Sequence, residues 1–523
     1  MRIGRAVIGA LTTLAAVASY AQVPYLETAQ PIVDEDGRVQ VIVDFRKAAR
    51  DAYPRPAIPR PQRRDDPDAK AVPFFHHPQT LALVADVERA HGFTGQGITS
   101  WVGSSVTAFL DAAQIERLRH DERIQQISQN ARVTFSWADS TSGGETTSWG
   151  HQAVQGKVRT VSNNRKIYVV DSGVAYHTDL AGVIDRRNVA CGHGDCHLTA
   201  SSTYPVVGCY PHSTHVAGII TATANNNTGT QGVYAGANVV SLSILSRSGG
   251  DMCGDPDSIR NNQPVSDARV GYAIDYMYWD TLYNNTWEWV NIASLSLNSG
   301  GLSIDVVANN YSNPIPQANW AKVRALATPD MVWVGCGLQP ECPQYEDQFK
   351  YYPAIFVAQS SGNDDADACS ATITPNRHYL PYAPSQNAPY VSAVTTDGIM
   401  VVGALKRFGE NSVAVASGTF SDTDPPNLVP IPFGSNHGDC VDIWAPGDGI
   451  YSTWGALYAN TLPSITYSGI ASISGTSMAA PHVAAAAAYY ADAHWLSTPR
   501  EIEEKIRATV YAFSGADLAV RLQ

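Results

Sequence analysis

Ile167-Tyr168-Val169-Val170-Asp171-Ser172-Gly173 is a run of four apolar residues that ends on a carboxylate and then on a small, turn-forming pair. A continuous apolar run of this kind, stopped by Gly, is the pattern of a strand buried on both faces, because a strand with one wet face alternates instead. The pattern recurs at Val239 to Leu245, Ile292 to Leu297, Ile355 to Ala358 and Val391 to Val394. Stretches with helical spacing lie between these runs, and the longest helices are expected to start at His212, Val265, Ile304 and Ser477. Buried strands alternating with helices predict an α/β fold, a doubly wound and mainly parallel sheet with its site in the crevice at the carboxyl ends of the strands. This domain is expected to occupy residues 149–523, with no internal repeat and no appended C-terminal domain.

Residues 37–135 read as a separate small α+β domain of order βαβαβ. Val39 to Phe45 is strand-like, and a Pro- and Arg-rich insert through His77 reads as loop. Thr80 to His91 is helical, Ile98 to Phe109 a strand, Ala113 to His120 helical, and Ile124 to Val133 a strand again. From Thr134 to Ser148 the chain is rich in Ser, Thr and Gly with no hydrophobic period, the composition of a flexible linker. At the start, Arg2 and Arg5 precede an apolar stretch, Ala6 to Val17, followed by Ala18-Ser19-Tyr20-Ala21. This is the layout of an export signal cleaved after Ala21. The apolar stretch is shorter than the roughly 20 residues that span a bilayer, so secretion, extracellular or periplasmic, is expected rather than a membrane anchor.

The 523 residues carry 35 Lys and Arg against 48 Asp and Glu, a net charge of −13 with no dense basic block. That balance argues against nucleic acid as a partner. Eight cysteines, an even number, all lie between Cys191 and Cys440, as expected for disulfides formed in an oxidising compartment. Cys191-Gly-His-Gly-Asp-Cys196-His could alternatively offer zinc ligands, but no second ligand cluster accompanies it.

Three separated segments join a reactive side chain to the local geometry its chemistry needs. Asp171 directly follows a buried strand, where a carboxylate can orient an imidazole from a nearly dry position. A turn residue or helix cap is the alternative for an Asp so placed. In Pro211-His212-Ser-Thr-His215-Val-Ala-Gly218 a His opens an apolar helix, whose positive end favours the neutral, basic ring. His215, one turn on, competes for that role. In Gly475-Thr476-Ser477-Met478-Ala479-Ala480-Pro481 a Ser among small residues introduces an Ala-rich helix, leaving its Oγ accessible and its N–H aimed outward.

Together these segments resemble the subtilisin family, in the chain order Asp, His, Ser, and the resemblance covers nearly all of the chain after the signal. It implies a serine endopeptidase with Asp171, His212 and Ser477 as catalytic triad, acting on proteins or peptides and needing no cofactor for its chemistry. Ser360-Ser361-Gly362-Asn363 resembles the family's Ala-Ala-Gly-Asn, which implies that Asn363 donates to the oxyanion. Ser296-Leu297-Asn298 falls where the family has its substrate-pairing Ser-Leu-Gly strand, so Ser296, Leu297, Asn298, Ser360, Ser361 and Gly362 are the implied substrate-binding residues. Two departures stand out: Ser213 and Asn298 occupy family glycine positions.

Finer similarity is to the proteinase K and aqualysin branch. It implies the disulfides Cys369–Cys440 and Cys209–Cys253; for the remaining cysteines the short-range pairs Cys191–Cys196 and Cys336–Cys342 are the expectation. It also implies a structural calcium site at Pro389, Val391 and Asp442. Residues 22–137 resemble the inhibitor-like propeptide of subtilisins, here about 37–135, with 138–148 as processing region. The expectation is a monomer, self-processed, with its own propeptide as intramolecular inhibitor. A secreted binding scaffold derived from a peptidase fold is the competing class. Loss of a triad or oxyanion residue would mark it, and none is lost. An acidic Ser-Glu-Asp peptidase would need Glu in place of His212.

Overall fold

The computed structural model describes residues 23–26, 31–54, 74–130, 133–134, 145–189, 211–244, 267–284, 290–299, 320–327, 330–333, 349–352, 354–363, 365, 396–408, 412–415, 434–438, 441–455, 468–494, 498–514 and 517–522. All eight cysteines lie outside these residues. So do Pro389, the expected strand Val391 to Val394, the expected helix start at Ile304 and the signal-like stretch.

The N-terminal part contains β1 (Tyr25–Leu26), β2 (Val39–Phe45), α1 (Pro78–His91), β3 (Gly97–Thr99), β4 (Ser105–Leu110), α2 (Ala112–Leu118), β5 (Ile124–Gln129) and β6 (Val133–Thr134). Its sheet has the order β1-β5-β2-β4-β3 over a core of its own that includes Val41, Leu83, Val106 and Ile127. The single strand expected from Ile98 to Phe109 is instead an antiparallel hairpin, β3 with β4. The interruption has a cause outside the segment. The N–H groups of Ser100, Trp101 and Val102 all point at the carboxylate of Asp275, at 3.0, 2.5 and 3.0 Å, and so cannot join a ladder.

Beyond it come α3 (Trp149–Val154), β7 (Ile167–Asp171), β8 (Val183–Asn188), α4 (His212–Thr221), β9 (Val239–Ser243), α5 (Asp267–Tyr283), β10 (Asn291–Leu295), β11 (Asn298–Ser299) and α6 (Trp320–Ala327). Then follow β12 (Ile355–Ser360), β13 (Ile399–Phe408), β14 (Ser412–Val415), β15 (Ile443–Pro446), β16 (Ile450–Trp454), β17 (Gly469–Ile473), α7 (Thr476–His494), α8 (Pro499–Thr509), β18 (Tyr511–Ser514) and β19 (Asp517–Ala519). The central sheet runs β18-β19-β15-β13-β12-β10-β7-β9-β8, with β14 antiparallel on β13. From β8 through β19 its neighbours pair in parallel.

Ile167 and Val169 belong to one apolar cluster, with α4 and α7, while Tyr168 and Val170 belong to the other, with α5 and α6. Successive side chains of a strand point to opposite faces, so helices on both sides require an unbroken apolar run. α8 was not among the expected helices, although Thr498 and Glu501 form a capping box in front of it, a signal readable from sequence.

The N-terminal sheet docks on α5 and α6. Ile42 packs with Ala268 and Tyr272, Tyr272 donates to Thr107 Oγ1 (3.0 Å), and Lys322 reaches Asp44 (3.6 Å) and Ser105 Oγ (3.3 Å). β6 leaves its own sheet and pairs antiparallel with β11, Thr134 opposite Asn298 and Val133 opposite Ser299. The expected linker is anchored at its far end. Glu145 accepts from the N–H groups of Asn225 (2.7 Å) and Asn227 (3.1 Å) and from Gln231 (2.8 Å), and Ser148 caps α3.

Candidate active site

The carboxyl end of β7 delivers Asp171, which is fully buried. Its main-chain oxygen accepts the Ile244 N–H (2.9 Å), its Oδ1 accepts the Ser172 N–H (2.5 Å), and its Oδ2 lies 2.8 Å from His212 Nδ1. A carboxylate oxygen can only accept, so Nδ1 carries the ring proton and Nε2 keeps its lone pair. His212 opens α4. The N–H of Ser213 donates to Ser172 Oγ (3.2 Å) and so ties that first turn to the residue after Asp171. Ser213 itself is buried.

The rivalry between the two histidines of α4 is settled by what stands opposite each. His215 Nε2 donates to the carbonyls of Ile450 (2.9 Å) and Ala471 (3.2 Å), which locks α4 onto the β16–β17 hairpin. Burial, with His212 nearby, lowers its pKa to about 3. A ring held neutral with its Nε2 proton committed to main chain is a structural group rather than a base.

Ser477 is the second residue of α7, which packs against α4. Its N–H lies in the first turn, where no intrahelical acceptor exists. Gly475 reaches this turn at φ 154° and Gly362 precedes Asn363 at φ 107°, both in the region that favours glycine. Thr476 fixes the orientation of Asn363. Its N–H and its Oγ1 both donate to Asn363 Oδ1, at 2.8 and 2.9 Å, while the same Oγ1 accepts the Gly362 N–H (3.1 Å). A main-chain N–H must face an acceptor, so the amide oxygen is the atom turned to Thr476 and Nδ2 points the other way as a donor. Sequence reasoning missed Thr476, although it stands beside Ser477.

Ser360 ends β12, and its Oγ lies 3.4 and 3.3 Å from the carbonyl oxygens of Leu295 and Leu297. It thereby braces the segment that leads into β11. Ser361, also buried, receives Asn436 Nδ2 on its carbonyl (3.0 Å). The expected substrate residues 296–298 and 360–362 are therefore brought together beside Asn363, and the backbone of Asn298 is paired with Thr134.

A sequence profile of the subtilase family (peptidase S8) matches residues 162–520. The chain belongs to the subtilase family. This subtilase is 25% identical over 443 residues to an extracellular protease of Xanthomonas campestris pv. campestris, an alignment covering 78% of this chain and 59% of that protein. It is 23% identical over 459 residues to alkaline serine exoprotease A of Vibrio alginolyticus, covering 83% and 62%. The chain thus spans about three fifths of the length of these two relatives. The crystal structure of fervidolysin from Fervidobacterium pennivorans has the same fold, with a TM-score of 0.51 at 17% identity, covering 96% of this chain and 62% of that one.

Of the three residues expected to bind calcium, only Asp442 is among those described. Its Oδ1 meets Arg507 at 2.7 Å and its Oδ2 accepts the Val401 N–H at 2.9 Å. A calcium ion would have to share this carboxylate with a guanidinium, so Asp442 as it stands fits poorly as a ligand.

Proposed function

We propose that this subtilase is a secreted serine endopeptidase that hydrolyses peptide bonds in proteins through an acyl-enzyme, and that it first cuts its own chain. One observation carries the reading. A buried Asp171–His212 pair joined at 2.8 Å sits at the carboxyl end of the central sheet, and α4, which His212 opens, packs against α7, whose second residue is Ser477.

The Ser477 hydroxyl attacks the carbonyl carbon as its proton passes to His212 Nε2, and Asp171 stabilises the imidazolium through the Nδ1–H. The oxyanion accepts from Asn363 Nδ2 and the Ser477 N–H, donors already aimed before reaction. Collapse expels the amine, which takes its proton from His212, and water then repeats the sequence on the ester. Substrate lies extended along 296–298 as an added strand. Calcium is assigned no step.

The N-terminal domain is the intramolecular inhibitor. Its β6 occupies the β11 edge in the place of a substrate, and the scissile bond lies between Thr134, held on Asn298, and Glu145, held by the loop 225–231. Treatment with a fluorophosphonate followed by peptide mapping tests the catalytic reading: one adduct on Ser477 is expected, none in His212→Ala. Labelling that is absent from the wild type, or undiminished in His212→Ala, would point instead to a binding scaffold.

A further inference from the structure

The last residues of the Pro- and Arg-rich insert are not slack connection. Phe74 and Phe75 lie outside the N-terminal sheet and reach across to α5, where Tyr276, Trp279 and Tyr283 recur at helical spacing on one face. Phe74 stands edge-on to Trp279 with ring centroids 5.3 Å apart. Phe75 meets Tyr283 edge-on at 5.5 Å and Trp101, from the β3–β4 turn, at 5.2 Å. The strap is fixed at its ends: Trp101 Nε1 donates to the Phe75 carbonyl (2.7 Å) and the His77 N–H donates to Ser100 Oγ (3.0 Å). Ser100 Oγ in turn lies 3.2 Å from Asp275 Oδ2. Tyr276, Trp279 and Tyr283 are all buried in this arrangement, although they belong to a surface helix of the peptidase domain.

We infer that the aromatic face of α5 is a docking surface for the Phe74–Phe75 strap, and that this contact sets how long the N-terminal domain stays on the peptidase domain after the chain is cut. The inference rests on the self-processing reading. β6 and the sheet face supply contacts that any chain of this layout could make. The strap adds a second anchor, on α5 rather than on β11, so cutting the connection after Thr134 leaves the inhibitor held at two places. Each edge-to-face pair is worth a factor of roughly 2 to 10 in binding, so removing the two that cross between domains speeds release by about 4- to 100-fold.

The test compares full-length wild type with Phe74→Ala/Phe75→Ala. Intact mass reports the cut. Size-exclusion of the cut material, followed over time, reports how fast the N-terminal fragment leaves, and activity on a small chromogenic peptide should appear correspondingly earlier. The expected result is equal cutting and equal final turnover, with release at least about 4-fold faster in the variant. Equal release times would overturn the inference. If wild type were not cut, the self-processing reading alone would fall, because the strap is also read in uncut Ser477→Ala chains. There, an added peptidase should digest residues 78–130 at least about 4-fold faster when the strap is removed, and equal digestion would again refute it. If the double variant fails to fold, Phe75→Leu keeps the apolar bulk but loses its ring pairs; a release rate at least about 3-fold faster supports the strap, and an unchanged rate contradicts it.

Discussion

Asn363 and Thr476 act as one unit. The amide oxygen caps the first N–H of α7, which is the reason the amide nitrogen is turned away from it. Replacing Ser477 or His212 by Ala is expected to lower amide hydrolysis by about 10⁶, the size of loss known for subtilisin, and Asn363→Ala by about 10² to 10³ in turnover, again the subtilisin figure. Thr476→Val keeps the main-chain donor but removes Oγ1. It should reduce kcat roughly 10-fold with KM nearly unchanged, since one orienting hydrogen bond is lost. A change confined to KM would show that Thr476 does not aim the amide. At this scale the sequence singled out Asp171, His212 and Ser477 and was silent on the groups that hold them. Asp171 and Ser477 announce themselves through their neighbours in the chain, whereas the choice of His212 over His215 depends on Ile450 and Ala471, more than 230 residues away by number.

Two elements show how burial turns into pH dependence. His215 pins α4 to the β16–β17 hairpin, and burial with His212 nearby takes it from the ordinary 6.5 to about 3. A folded pKa below the unfolded one means that the unfolded chain takes up the proton first. Stability is therefore intact above about pH 6.5 and falls as pH drops toward 3, by about 1.4 kcal/mol per unit. Asp275 and Asp442 have the opposite sign, because burial raises them to about 6 and about 7. Their contribution is present in acid and is lost as pH rises. Urea unfolding of Ser477→Ala and of Ser477→Ala/His215→Gln, at pH 7 and pH 5, separates the histidine from this background. The chain with His215 should lose about 2 kcal/mol more between the two pH values, and parallel losses would show that His215 is not held neutral. Element boundaries were legible where one segment decides its own fate, as in β7 and α4. The β3–β4 hairpin was not, because its turn is made by Asp275 on a helix more than 160 residues downstream.

At the scale of the whole molecule, the parallel sheet demands contacts between distant segments that form slowly, and the N-terminal domain packs against α5 and α6. Its alternation of strands and helices could be read from sequence, apart from the β3–β4 hairpin that replaces the single middle strand. Its seat could not, because the contacts with Tyr272, Asp275 and Lys322 join surfaces that neither domain's own periodicity distinguishes. Wild type expressed in a host free of similar peptidases should lose the segment up to a point between Thr134 and Glu145, and Ser477→Ala should keep it. Equal trimming of both would assign the cut to another peptidase. A peptidase acting through Ser477 cleaves peptides of mixed sequence, so the purified chain is given a random peptide pool and the products are read by mass spectrometry. Internal peptide bonds should be cut by wild type and left whole by Ser477→Ala; an uncut pool with wild type, or equal cutting by both, would contradict it.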